Sequence, residues 1–278
     1  MSIPSGADQS GYLTRLALVV STWATQLARS PSQTDRTEAA RRLARHCLVT
    51  AVSAGILIVV LMIWVDAREI ALMPPRKTPS LWPFEVLTDF GKDTIVLSLA
   101  AILLLVVTLM APALHGSSRR RLLATGLRLQ FIWLAIAVPL AFGELVKWIA
   151  GRGRPFVGGQ ANAFNFTPFG GTEGAHASFP SAHAITAFAL AFAIAAIWPR
   201  LRGLMIAYAL VIAFTRLVLL AHHPSDVVAG ATIGIIGAMF VRYWFAVRAL
   251  GFTIGEAGRI LPAAEDPLKG VAAGPSGP

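Results

Sequence analysis

The chain has 278 residues, of which 55% are hydrophobic and only 14% charged. That is about half the charged share of a soluble domain, so a water-soluble globule of this length is excluded. The formal net charge of +10 is the excess of 24 basic over 14 acidic residues. In so apolar a chain these mark loops on one side of a membrane rather than a nucleic-acid surface. A single cysteine, Cys47, rules out an internal disulfide and a cysteine metal cluster.

In chain order, residues 12–27 form a mildly apolar stretch that reads as an interfacial helix within an N-terminal segment, 1–45. Six longer apolar runs follow, at about Leu48–Val65, Thr94–Ala113, Leu129–Ile149, Ala182–Trp198, Leu204–Leu220 and Val227–Phe240. Each approaches the length needed to cross a bilayer core, which predicts an all-α, polytopic protein with six transmembrane helices over 46–250. Pro139 lies inside the third run, where membrane helices tolerate proline. Residues 251–278 are rich in Ala, Gly and Pro and predict a disordered tail.

Arginines set the orientation. Arg36, Arg41, Arg42 and Arg45 precede the first run, Arg119, Arg120, Arg121 and Arg128 lie between the second and third, and Arg200 and Arg202 between the fourth and fifth. Arg242 and Arg248 flank the end of the sixth. With an even number of spans all four groups share one side, and the positive-inside rule makes that side cytoplasmic. The opposite loop 66–93 mixes both signs.

On that outer side the polar residues accumulate. A long Gly-rich loop starts at Lys147 and passes Arg152 and Arg154-Pro155. It ends at Pro180-Ser181-Ala182-His183. A short loop carries His222-His223-Pro224-Ser225-Asp226, and Arg216 sits just inside the fifth run. An arginine at membrane depth is costly and by default points to function. Arginine forks match phosphate oxygens two at a time, and lysine adds a point charge. Pro180 and Pro224 suit first helical positions. The N–H groups of Ser181, Ala182 and His183 would then face outward as an anion site, with the Ser181 hydroxyl as a further donor. Asp226 would lie in the first turn of the last helix. Bonded to one nitrogen of His222, it would leave the other free to attack, while His183 donates a proton to a leaving oxygen.

These segments resemble the type 2 phosphatidic acid phosphatase superfamily, whose pattern is Lys-x6-Arg-Pro, Pro-Ser-Gly-His and Ser-Arg-x5-His-x3-Asp. Lys147 and Arg154-Pro155 match the first part. Pro180-Ser181-Ala182-His183 matches the second with alanine for glycine. Thr215-Arg216, His222 and Asp226 match the third with threonine for serine. The resemblance implies that His222 is the nucleophile, Asp226 its partner and His183 the general acid. It assigns Lys147, Arg154, Ser181, Ala182 and Arg216 to phosphate, with no metal and no cofactor. The spacing selects His222 over the adjacent His223. Arg152, which the motif does not require, reads as an interface anchor. Glu144 reads as a helix-face partner of Lys147.

The expected activity is hydrolysis of a membrane lipid phosphate or diphosphate: phosphatidic acid, phosphatidylglycerophosphate, polyprenyl diphosphate or lipid A. It would run through a phosphohistidine at the outer face of an inner membrane. The alternatives are a lipid phosphotransferase using the same site and a transporter of phosphorylated solutes. No inverted repeat supports the transporter. The implied partners are the bilayer and its lipids, and no nucleic acid.

Overall fold

The computed structural model describes residues 11–31, 36–157, 163–170 and 174–263. Nine α-helices occupy these residues: α1 Tyr12–Ala28, α2 Arg36–Trp64, α3 Asp66–Leu72, α4 Trp82–Asp89, α5 Asp93–Met110, α6 Gly116–Ala150, α7 Ala182–Ile197, α8 Arg202–Val218 and α9 Pro224–Val247. Apolar helices stand at all six expected places. Five are long and apolar enough to cross a membrane, through Arg36–Trp64, Pro79–Ala113, Gly116–Ala150, Pro199–Val218 and Pro224–Val247. The exception is α7, with 16 residues. At 1.5 Å per residue it reaches about 24 Å, short of a hydrocarbon core of about 30 Å. It meets little lipid, because it is the inner helix of the bundle: Ala184, Ile185, Thr186, Ala187, Ala189, Ala191 and Ala193 are all buried.

Small residues permit that burial. A Cβ added at Gly230 would stand 2.4 Å from the carbonyl oxygen of Ser181, and one at Gly234 would stand 2.5 Å from that of Ile185. The backbones of α7 and α9 therefore approach as only glycine allows, the usual device for helix association without a hydrophobic driving force. The core continues through Leu127, Phe131, Ala135 and Ile136 of α6 and Ala238, Val241 and Phe245 of α9.

Basic residues lengthen α2 and α6 beyond the apolar runs, since arginine is a good helix former outside the hydrocarbon. The N-terminal segment is helical, as α1. Its Tyr12 hydroxyl donates to the Leu109 carbonyl at 2.8 Å, Trp23 packs over Gly126, and the Trp244 indole donates to the Leu27 carbonyl at 3.2 Å. Leu13, Leu18 and Val20 stay exposed along it.

The chain after Gly251 departs from expectation. Part of the supposed tail forms an antiparallel hairpin, β1 Phe252–Ile254 with β2 Ile260–Pro262, so the fold is not purely helical. Phe252 and Ile254 alternate with Thr253 and bury against the bundle, which supplies the apolar contact that composition alone did not reveal. Arg42 of α2 donates to the Ala257 carbonyl at 3.4 Å. Residues 264–278, the rest of the expected tail, lie outside the described residues.

Candidate active site

The bundle brings one end of each long helix to a common face. Lys147 lies in the last turn of α6, which ends at Gly151. There φ is +54°, and a Cβ would fall 1.7 Å from the Thr167 carbonyl oxygen, so only glycine turns the chain into the loop. Lys147 is buried and ion-paired with Glu144, as the helical spacing suggested. Arg154 follows in the loop, its backbone N–H donating to the Ala175 carbonyl at 2.9 Å. Its guanidinium is held below its ordinary pKa, first by burial and then by the nearby charge of Arg76.

The anion site at α7 is built differently from the sequence expectation. Ser181, not Pro180, flanks the helix as N-cap, and its hydroxyl accepts from the Ala184 N–H at 3.4 Å. The Ser181 N–H is already engaged, donating to the Asp226 carbonyl at 3.0 Å. The first helical N–H groups, those of Ala182 and His183, have no carbonyl four residues back within the helix and so retain the character of an anion site. The charged groups facing His183 are Arg216, Arg154, Lys92 and Lys147.

Arg216 is buried near the end of α8. Its Nη1 donates to the Thr88 hydroxyl at 2.6 Å, which fastens α8 to the end of α4. Thr215, standing where the resembled pattern has serine, donates to the Ile212 carbonyl at 2.6 Å and lies 3.1 Å from the Thr88 hydroxyl. The hydroxyl is thus retained and used.

Pro224 opens α9 and Asp226 lies in its first turn, as expected. The His222–Asp226 bond, however, is absent. Nδ1 of His222 is 3.9 Å from the carboxylate and instead 2.7 Å from the carbonyl oxygen of Ser178. A carbonyl can only accept, so Nδ1 carries the hydrogen and Nε2 keeps its lone pair. The imidazole is buried among Arg216 and Arg154, and burial holds its pKa well below the usual histidine value, so the ring is neutral at physiological pH.

Asp226 is held by a buried network that the sequence did not disclose. One carboxylate oxygen accepts from Arg152 Nη1 at 2.6 Å. The other accepts from the Ser178 hydroxyl at 2.6 Å and the His223 N–H at 2.9 Å. Arg152, far from being an interface anchor, is wholly inaccessible to solvent. Its Nη2 pairs with Asp66 at 2.8 Å, and both Nε and Nη2 donate to the Ala163 carbonyl. Asp66 in turn caps α9, accepting from the Ser225 N–H at 3.1 Å and from its hydroxyl. Ser178 therefore couples the two halves: its carbonyl orients His222 while its hydroxyl is fixed by Asp226.

Sequence reasoning missed Asp66, Arg152, Ser178 and Thr88. The one legible signal was Asp66 with Glu69, a pair of acids directly after an apolar run. Among the described residues no group of three or more His, Cys, Asp or Glu is placed to hold a metal ion.

The architecture defines a multi-pass membrane protein with a cationic, histidine-bearing site built on helix ends. Residues 129–249 match the PAP2 superfamily. A lipid A 1-phosphatase of Rhizobium johnstonii is 32% identical over 216 residues, covering 76% of this chain and 85% of that protein. A lipid A 1-phosphatase of Rhizobium etli is 33% identical over 192 residues, covering 66% and 81%. No solved structure matches at a significant level. The chain belongs to the PAP2 superfamily, the group of the type 2 phosphatidic acid phosphatases.

Proposed function

We propose that this protein is a membrane phosphatase that hydrolyses a lipid phosphate through a phosphohistidine on His222. The carrying observation is the tautomer: Nδ1–H is committed to the Ser178 carbonyl, so Nε2 is the free base, in a buried setting that also contains Arg154, Arg216 and His183. In the first step Nε2 attacks phosphorus and the P–O bond to the lipid breaks, with His183 giving its proton to the departing oxygen. Lys147, Arg154, Arg216, the Ser181 hydroxyl and the N–H groups of Ala182 and His183 hold the phosphoryl oxygens as charge builds on them. In the second step water attacks the phosphohistidine, the P–N bond breaks, and His183 takes the water proton. Asp226 acts at one remove, by anchoring Ser178 and by its negative charge near the imidazolium-like transition state.

The preferred substrate is a lipid A-like lipid carrying a terminal phosphate, as the relatives' names suggest. Arginines cluster at the ends of helices away from the site, which supports a site on the periplasmic face of an inner membrane. Lys147, Ser181 and Asp226 sit at helix ends, so a lipid would present its phosphate with its tails still in hydrocarbon. No metal takes part in this scheme.

The test is phosphate release from a panel of long-chain lipid phosphates by purified protein, with acid-labile, base-stable labelling of His222 by radiolabelled substrate. Turnover without release of inorganic phosphate, the label passing to a second lipid, would make it a phosphotransferase. Loss of activity in EDTA with recovery on adding a divalent ion would overturn the metal-free scheme.

A further inference from the structure

At the far end of the bundle from the site, α7, α8 and α9 line an open groove of about 370 Å³, within the size range of small-molecule sites. Its wall is apolar along Phe188, Ala191, Ala195 and Ile206, and it carries two cations, Arg202 and Arg242. Arg242 lies on α9 with its guanidinium carbon 4.9 Å from the centre of the Phe192 ring. Its Nε is buried without a hydrogen-bond partner, and the charge acting on it is another cation, Arg42. Helices α7, α8 and α9 supply no carboxylate at this end. Residues 174–225 contain no Asp or Glu. The one acid of α9, Asp226, is sixteen positions from Arg242, about 24 Å along the axis.

We propose that this groove binds an anionic phospholipid of the leaflet opposite the active site. Its phosphate would bridge Arg202 and Arg242, and an acyl chain would run inward along α7. Two features select a lipid over a soluble anion. First, the charged end lies where α7 and α8 meet at the Pro199–Leu201 turn, while the apolar wall runs from there toward mid-membrane. A free phosphate would satisfy the guanidiniums and leave that wall wet. Second, a half-buried guanidinium whose Nε donor is unmet gains most from a doubly accepting phosphate oxygen pair, a recognised use of basic pockets between membrane helices. The inference concerns a surface remote from the catalytic residues and stands whether or not lipid phosphates are the substrate.

The experiment uses delipidated full-length protein and native mass spectrometry. Phosphatidylglycerol, which has no terminal phosphate monoester, is compared with phosphatidylcholine, with glycerol 3-phosphate as a soluble competitor. The expected result is at least tenfold preferential retention of phosphatidylglycerol. That preference should fall to near unity in R202Q/R242Q and persist in R41Q/R45Q, which removes equal charge from α2. Ala195→Phe narrows the groove while keeping both arginines, and should also lose the bound lipid. Unchanged preference in R202Q/R242Q, or equal loss in R41Q/R45Q, overturns the site. Displacement of the lipid by millimolar glycerol 3-phosphate would show an anion pocket without lipid recognition, and also overturns it.

Discussion

Two halves of the bundle solve different problems. Helices α6 to α9 are packed on one another: half of the most apolar stretch of α9 is buried, and α7 is enclosed nearly all round. Helix α2 is the opposite, with none of its most apolar stretch buried and Val52, Ile56 and Val59 turned outward. Yet α2 leads into Asp66, which is as inaccessible as any residue of the core. The packed half supplies rigidity for the reacting groups, and the lipid-facing half supplies single polar contacts delivered at helix ends. A site held by rigid elements on one side and tethered by a few strong contacts on the other should respond very differently to damage on each.

The largest effect tests the packed side. His222→Ala should lower kcat by roughly 10⁴-fold or more, since a covalent route loses its nucleophile. His223→Ala should keep kcat within about tenfold and lower the melting temperature instead. The His223 ring is fully buried, so its loss removes packing. Steady-state kinetics with thermal unfolding of both variants separates them; matching losses of kcat would erase the distinction between the neighbours.

Next comes the tether. Arg152→Met strands two buried carboxylates, Asp66 and Asp226, and should cost about 3–5 kcal/mol of stability. The double variant Arg152→Met/Asp66→Asn should recover part of that loss, a coupling that a double-mutant cycle reads directly. Strict additivity would mean that the two residues do not act as one unit.

Gly230→Ala places a methyl against the Ser181 backbone and should cost about 1–3 kcal/mol, because neither helix can move away without disturbing the other. Ile56→Val on the outer face of α2 should change stability by less than about 0.5 kcal/mol. Equal sensitivity of the two positions would contradict the contrast between the halves.

A separate test is a pH dependence. Glu69 is 5% exposed, and neither of its buried carboxylate oxygens has a hydrogen-bond partner in the structure. Burial, then the nearby charges of Asp66 and Asp226, pushes its pKa up to about 8. The folded state therefore binds this proton more tightly than the unfolded chain does, whose carboxyl titrates near 4.5. Its contribution to stability is complete below about pH 4.5 and is lost progressively as pH rises through 8. Denaturation midpoints should fall over that window, and Glu69→Gln should flatten the slope. An unchanged slope would remove Glu69 as its source.

Much of this was legible in the sequence, for physical reasons that differ by residue. The apolar helices and the Pro224 start of α9 follow from local pattern and local sterics. Lys147, Arg154, His183, Arg216 and His222 converge because each lies at or near the end of an apolar run, and helix ends share a face. The partners of Asp226 escaped because they are tertiary: Asp66 and Arg152 are 86 positions apart, and Asp66 and Ser225 are 159 apart. Local charge statistics make an arginine beside a span an anchor, and nothing near Arg152 in the chain says otherwise. The hairpin after Gly251 escaped because glycine-rich composition hid the Phe252–Ile254 alternation.

That long separation between Asp66 and Ser225 bears on biogenesis. A ribosome delivers Asp66 early, Arg152 midway and the start of α9 late, so the constellation has no complete intermediate form. Until α9 enters the bilayer, Asp66 has no serine to cap, Arg152 lacks its second carboxylate, and Ser178, whose carbonyl orients His222, lacks the Asp226 carboxylate that fixes it. A nascent chain without α9 therefore carries Arg154 and Arg216 before the carboxylate that anchors Ser178 exists. The buried network is completed only by the last span, so chain order makes it the final part of the site to form.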